Sequence, residues 1–110
     1  MTESTIQNLV MVALSHEFRA LVIRVNAGTF RPMVGEGVVK GAPAGTSDLI
    51  ALVPPGLWFG VEVKTPTGRQ SDPQRKFQAA VEKRGGHYII ARSPEDAVAQ
   101  VRAALAVPRG

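Results

Sequence analysis

Asp48, Glu62 and Lys64 are the residues whose types and spacing can do chemistry. Glu62 and Lys64 stand two apart in Leu57-Trp58-Phe59-Gly60-Val61-Glu62-Val63-Lys64, a run whose β-branched and aromatic content reads as a strand. Side chains alternate across a strand, so this acid and base share one surface while Val61 and Val63 point the other way, into a core. The preceding run Ser47-Asp48-Leu49-Ile50-Ala51-Leu52-Val53 is joined to it by Pro54-Pro55-Gly56, the strongest hairpin signal in the chain. If that loop closes symmetrically, Val53 pairs with Leu57, and counting back along the ladder sets Asp48 opposite Glu62. Like charges across a strand pair are destabilising by a few tenths to about 1 kcal/mol, so stability alone does not select the arrangement. A divalent cation between the two carboxylates reverses the sign.

Magnesium wants an octahedral oxygen shell and takes one or two carboxylates, leaving its other positions to water and substrate phosphate. Asp48, Glu62 and the backbone carbonyl of Val63 supply such a partial shell. A cation held there polarises a phosphodiester and acidifies water, and Lys64 can orient the nucleophile or stabilise charge developing on the phosphorus centre. The result is metal-assisted hydrolysis. Taken singly, each residue has a plainer reading: Asp48 follows Gly45-Thr46-Ser47 and suits a turn, and Glu62 and Lys64 suit the solvated face of an ordinary strand. The absence of cysteine excludes disulfides, thiolate zinc sites and cysteine nucleophiles. The two histidines, His16 and His87, are too few and too poorly placed for a zinc site or a histidine-based nuclease, and read as structural or surface residues.

The elements that must position these residues follow from periodicity and caps. Ile6, Leu9, Val10, Ala13 and Leu14 recur at helical spacing behind Thr2 or Ser4 as a cap, which predicts an amphipathic helix over residues 3–16 with Glu3 in its first turn. Leu21-Val22-Ile23-Arg24-Val25-Asn26 reads as a strand that places Arg24 and Asn26 on one face and ends in a turn at Ala27-Gly28. Residues 29–46 are rich in Gly and Pro, with a short hairpin through Phe30–Val34 and Val38–Lys40, and a connection this long in a small domain is more often functional than idle. Ser71-Asp72-Pro73-Gln74 has the cap, the first-turn proline and the glutamine that begin a helix, and Gly85-Gly86 ends it. His87-Tyr88-Ile89-Ile90-Ala91 is a further strand, and Ser93-Pro94-Glu95-Asp96 starts a last helix. The expectation is a single domain over residues 1–110 of α/β class, a mixed sheet with a central hairpin, flanked by helices.

With 110 residues and 45% hydrophobic content the chain suits one core. Its net charge of +4 and isoelectric point near 10.1 favour polyanionic partners, because each neutralised phosphate releases condensed counterions. The apolar stretch from Ile6 to Leu14 lacks a basic leader and falls far short of the roughly 20 residues that span a bilayer, so no membrane association is expected and the cytoplasm is the expected compartment.

Gly45-Thr46-Ser47-Asp48, then Glu62-Val63-Lys64, then Ser71 through Gln74 resembles the pattern of PD-(D/E)XK nucleases, and more narrowly the small stand-alone VRR-NUC proteins of phages and bacteria. The resemblance extends to Glu3 and Gln7, to Arg24-Val25-Asn26-Ala27-Gly28 and to Gly85-Gly86. It implies a restriction-endonuclease-like sheet wrapped by helices, dependence on Mg2+ or Mn2+, and cleavage of DNA. Asp48 and Glu62 would be metal ligands, Lys64 the catalytic lysine, Gln74 a supporting active-site residue and Glu3 an accessory carboxylate. Serine rather than proline precedes Asp48, which departs from the broad superfamily signature and suits the narrower family. Gln74 has a competing role as the glutamine of a capping box, and Glu3 as a complement to a helix dipole; Glu17 is a rival for the accessory position.

Arg69, Arg75, Lys76, Lys83 and Arg84 cluster around the helix after the active strand, and with Lys40, Arg24 and Asn26 they are candidates to track phosphates. A solvated helix face is the plainer reading of the helix cluster. The Gly35–Gly41 segment fails as a phosphate-binding loop, since Lys40 precedes Gly41 and no Ser or Thr follows. One of Trp58 and Phe59 must face away from the side the other covers, free to stack on an unpaired base or to pack against a second subunit. A domain this small encloses little duplex, so a symmetric homodimer with two active sites acting on branched DNA, a Holliday junction or flap, is the expectation that the family likeness carries. The rival readings are a non-catalytic nucleic-acid-binding or assembly module keeping the same fold, and a structural phage protein with an incidentally basic surface.

Overall fold

The computed structural model describes residues 1–25, 29–30, 35, 37 and 39–108. Helix α1 (Glu3–Phe18) starts where the side-chain oxygen of Thr2 accepts the backbone N–H of Thr5 at 3.1 Å. Ile6, Val10 and Leu14, spaced by four, form its buried stripe. It runs two residues beyond the expected end, because Phe18 packs against the core and the chain turns only at Arg19, in the left-handed region at φ 55°.

Strand β1 (Leu21–Arg24) pairs antiparallel with β4 (Leu49–Val53), which pairs antiparallel with β5 (Leu57–Val63). Strand β6 (His87–Ala91) lies parallel to β5, giving the order β1-β4-β5-β6. Parallel neighbours need a crossover, and helix α2 (Asp72–Lys83) supplies it. A separate ribbon joins β2 (Thr29–Phe30) to β3 (Val39–Lys40), in the region where the sequence suggests a hairpin. Asn26, the turn at Ala27-Gly28 and the hairpin positions 31–34 and 38 lie outside the described residues.

Helices α1 and α3 (Pro94–Ala106) pack on each other and on one face of the sheet. Leu49, Ala51 and Val53 of β4 and Phe59, Val61 and Val63 of β5 project there, together with Ile89 and Ala91 of β6, and form the core with Ala97 and Val101. The other face carries Trp58, Gly60 and Glu62, with α2 set against the β6 side through an edge contact of Phe77 on Tyr88. The mixed sheet with its central hairpin and flanking helices agrees with the architecture read from the sequence. Among the described residues no helix is long and apolar enough to cross a membrane.

Candidate active site

The hairpin closes as the symmetric count requires: Val53 pairs with Leu57 and Leu49 with Val61, so the next position of the ladder is Asp48 facing Glu62. Asp48 lies one residue before β4, and its Oδ2 accepts the N–H of Val63 at 2.7 Å, which pins the carboxylate across the hairpin. Its own carbonyl accepts the N–H of Val25 at 2.9 Å, tying the same residue to the end of β1. The approach to Asp48 is equally constrained. Ser47 is buried and donates to the carbonyl of Leu49 at 2.9 Å. Gly45 has φ +90°, and a Cβ there would fall 2.5 Å from the backbone of Pro73, so only glycine lets this loop lie on the first turn of α2.

Glu62 is fully buried. Its Oε1 accepts two hydrogen bonds, from the Tyr88 hydroxyl at 2.7 Å and from Gln70 Nε2 at 3.2 Å. Gln70 Nε2 also donates to Gln78 Oε1 at 2.8 Å. The second carboxylate oxygen, Oε2, is buried with no hydrogen-bond partner and lies 3.8 Å from Lys64 Nζ, which is itself mostly shielded from solvent. Lys64 follows the end of β5, and its N–H donates to the Ala91 carbonyl at 3.0 Å, so the parallel pairing with β6 holds it at the rim.

Burial pushes the Asp48 carboxyl above the usual carboxylate range, and the charges of Glu3 and Glu62 push it further; the Val63 N–H and the Lys64 ammonium pull in the opposite direction. The Tyr88 hydroxyl is also raised, by burial and by its bond to Glu62, and stays a neutral donor. A concentration of negative charge in a desolvated place is what a cation would relieve. The donor set is two carboxylates, all hard oxygen, with one oxygen left bare, and it fits Mg2+ or Mn2+. Among the described residues no three His, Asp or Glu side chains gather closely enough to hold a metal by themselves. A backbone carbonyl such as that of Val63, with water or substrate oxygens, would complete the shell.

Glu3 stands in the first turn of α1, exposed and near enough to act on Asp48. Its rival Glu17 is taken up at the far end of the helix by Arg102, at 3.2 Å. Gln74 forms a complete capping box: its Oε1 accepts the Ser71 N–H at 2.8 Å and its N–H donates to Ser71 Oγ at 3.3 Å. Among the described residues no hydrogen bond joins it to Asp48, Glu62 or Lys64.

The basic residues divide. Arg24 pairs with Leu49 in the ladder and so leaves the sheet on the α1 side, where its guanidinium donates to Asn8 Oδ1 and approaches Met11 Sδ at 3.8 Å. Arg75 pairs with Asp72 and donates to the Gln70 carbonyl at 2.8 Å. Arg69 and Lys76 are exposed. Lys40 falls in β3, and Asn26 lies outside the described residues. His87 stacks on Phe59, with centroids 4.5 Å apart, a structural position as expected. Of the aromatic pair, Phe59 is buried and Trp58 lines an open cavity of about 450 Å³ with Phe77, Ala80, Val81, Arg84 and Gly86.

Four residues that sequence reasoning passed over shape the site: Gln70, Gln78, Tyr88 and Arg92. The Arg92 guanidinium donates to the carbonyls of Thr65 at 2.7 Å and Gly68 at 2.8 Å, fastening the loop that leaves Lys64.

A family model for the VRR-NUC domain matches residues 8–95, a segment that holds Asp48, Glu62, Lys64 and Gln74 but not Glu3. Among curated proteins none matches the chain. A solved structure described as a VRR_NUC domain matches with a TM-score of 0.65 over 91% of this chain and 94% of its own, at 18% identity. A likeness at that identity speaks for the fold.

Proposed function

The chain belongs to the VRR-NUC family, within the PD-(D/E)XK nucleases, and from that premise we propose that it is a Mg2+- or Mn2+-dependent endonuclease hydrolysing phosphodiester bonds of branched or otherwise structured DNA. The observation that carries the reading is the buried Oε2 of Glu62, which accepts no hydrogen bond and lies 3.8 Å from Lys64 Nζ, on a residue set opposite Asp48 in the ladder.

Asp48 and Glu62, with the Val63 carbonyl, would hold the cation, and Glu3 would add an accessory carboxylate. When bound, the cation supplies positive charge to the scissile phosphate and acidifies an attacking water. The protein does the rest. The Val63 N–H keeps Asp48 Oδ2 fixed, so the carboxylate keeps its place as substrate arrives. Lys64, at the rim and mostly desolvated, donates N–H groups to the attacking oxygen or to the phosphate oxygen on which charge develops, where low dielectric strengthens its effect. The net charge of +4 and exposed Arg69 and Lys76 favour approach of the phosphate backbone.

A homodimer is part of the proposal. Leu21 pairs with Leu52 and Ile23 with Ile50 in the ladder, and Leu21, Ile23 and Leu52 are exposed on the face that also carries Glu62. Such an apolar strip beside the site suits a symmetric partner that would present two centres to a branched substrate.

The test is cleavage of labelled duplex, flap and four-way-junction DNA in Mg2+, Mn2+ or EDTA, comparing wild type with Lys64→Ala and Asp48→Asn. The expected result is metal-dependent cutting, strongest on a branched substrate and lost in both variants. Binding without cutting under every metal would overturn it in favour of a non-catalytic module.

A further inference from the structure

Glu62 is treated unequally by its neighbours. The two hydrogen bonds it accepts, from Tyr88 and Gln70, both go to Oε1; Oε2 accepts none and has only the Lys64 ammonium 3.8 Å away. A network that served only to satisfy a buried carboxylate would not crowd one oxygen and leave the other bare, since a bare buried acceptor is destabilising. We infer that Tyr88 and Gln70 are positioning residues that occupy Oε1 and commit Glu62 to ligating the metal through Oε2 alone. The inference rests on the metal-dependent reading above and concerns how one ligand is presented.

Several features hold the clamp in one orientation. Gln70 uses its two amide hydrogens on two acceptors, Glu62 Oε1 and Gln78 Oε1, and a flipped amide would set oxygen against oxygen at the Glu62 carboxylate. Its backbone is held by Arg75, which donates to the Gln70 carbonyl at 2.8 Å. Tyr88 sits opposite Gly60 in the β5–β6 register, two positions before the residue paired with Glu62, and must lean along the sheet to reach it. Gly60 makes the lean possible: a Cβ there would fall 2.9 Å from the Tyr88 ring. Phe77 closes the ring's outer side, with centroids 6.1 Å apart. Partners behind a ligand commonly set its orientation, and their loss weakens metal affinity by about 10- to 100-fold.

The test is calorimetric titration of the full chain with Mn2+ alone, for wild type, Tyr88→Phe and Gln70→Leu, each checked for folding by its metal-free thermal unfolding. Infrared difference spectra with and without Mn2+ follow the carboxylate bands. The expected result is Mn2+ affinity weakened about tenfold or more in each variant, a one-oxygen carboxylate signature in wild type that shifts towards two-oxygen ligation in Tyr88→Phe, and DNA cleavage restored to that variant by raised Mn2+. Wild-type affinity and an unchanged infrared signature in both variants would overturn the clamp while metal-dependent cutting stands. A wild-type chain that neither binds Mn2+ nor cuts DNA would overturn the clamp together with the nuclease reading.

Discussion

The two faces of strand β5 come from alternate residues of one seven-residue run and are built on opposite principles. Phe59, Val61 and Val63 join the apolar core shared with α1 and α3, and the polar ring against them is that of His87, stacked on Phe59. Trp58, Gly60 and Glu62 face the other way, where burial is just as deep at Glu62 but is filled by a carboxylate, two amides and a phenol. The first face stabilises by removing area from water. The second gives up stability, because it buries charge beside a half-buried Asp48 whose carboxyl is raised and leaves one oxygen without a hydrogen bond. The lesson is that fold and chemistry are separable here at the resolution of single alternate residues.

Substitution on each face should break or confirm that separation, and the largest effect is expected from pairing Asp48→Asn with Phe59→Ala. Asp48→Asn should lose cleavage by on the order of 100-fold or more. It should also hold or raise the unfolding midpoint in EDTA. The sign follows from the raised carboxyl: the ionised form is held less well in the folded chain than in the unfolded one, so its destabilising effect sets in as pH climbs above the usual carboxylate value, and it is present at neutral pH. Phe59→Ala should do the reverse, losing about 3–5 kcal/mol of stability while the molecules that remain folded cut at near wild-type rate. Urea unfolding in EDTA and cleavage per folded molecule measure both. An Asp48→Asn midpoint that drops as far as that of Phe59→Ala would make Asp48 a structural residue.

Gly45 is where the two principles meet, and the next effect in size is expected there. Its φ of +90° disfavours any side chain, and the Pro73 backbone occupies the space a Cβ would need. Backbone strain of this kind costs of order 1–3 kcal/mol. Gly45→Ala should therefore lower the urea midpoint by about that much and also weaken cleavage, since the displaced loop carries Asp48. A variant that loses stability yet cuts normally would show that Asp48 is placed by Val63 and Val25 without help from the loop.

The sequence makes one part of the polar face far more readable than the rest. The partnership of Asp48 and Glu62 follows from a three-residue loop and a ladder count, because antiparallel pairing through a short turn leaves little freedom of register. Tyr88 was out of reach of that reasoning. It enters through a parallel pair whose register is set by the length and tilt of α2 and the loop before it, and no local signal encodes these. Gln70 and Arg92 act through loop geometry and carry no motif. Arg24 shows the opposite error, since its strand face and helix α1 were both legible but the packing of that helix beside that face was not, and its guanidinium is bonded to Asn8 on α1.

Gln74 is the residue at which the two ways of reading still compete, and the smallest effect is expected from it. Family likeness makes it a supporting active-site residue; geometry gives its Oε1 to the Ser71 N–H and completes a capping box. If capping is its whole work, Gln74→Ala and Ser71→Ala should resemble each other, each losing about 1 kcal/mol of stability and each cutting within a few-fold of wild type. If Gln74 instead turns to the phosphate when DNA is bound, Gln74→Ala should lose far more cleavage than Ser71→Ala at equal loss of stability. The ratio of the two cleavage rates, measured at saturating Mg2+ with both midpoints in hand, decides between them. A ratio near one assigns Gln74 to the scaffold of α2, alongside Arg75, which holds the Gln70 carbonyl from the same turn.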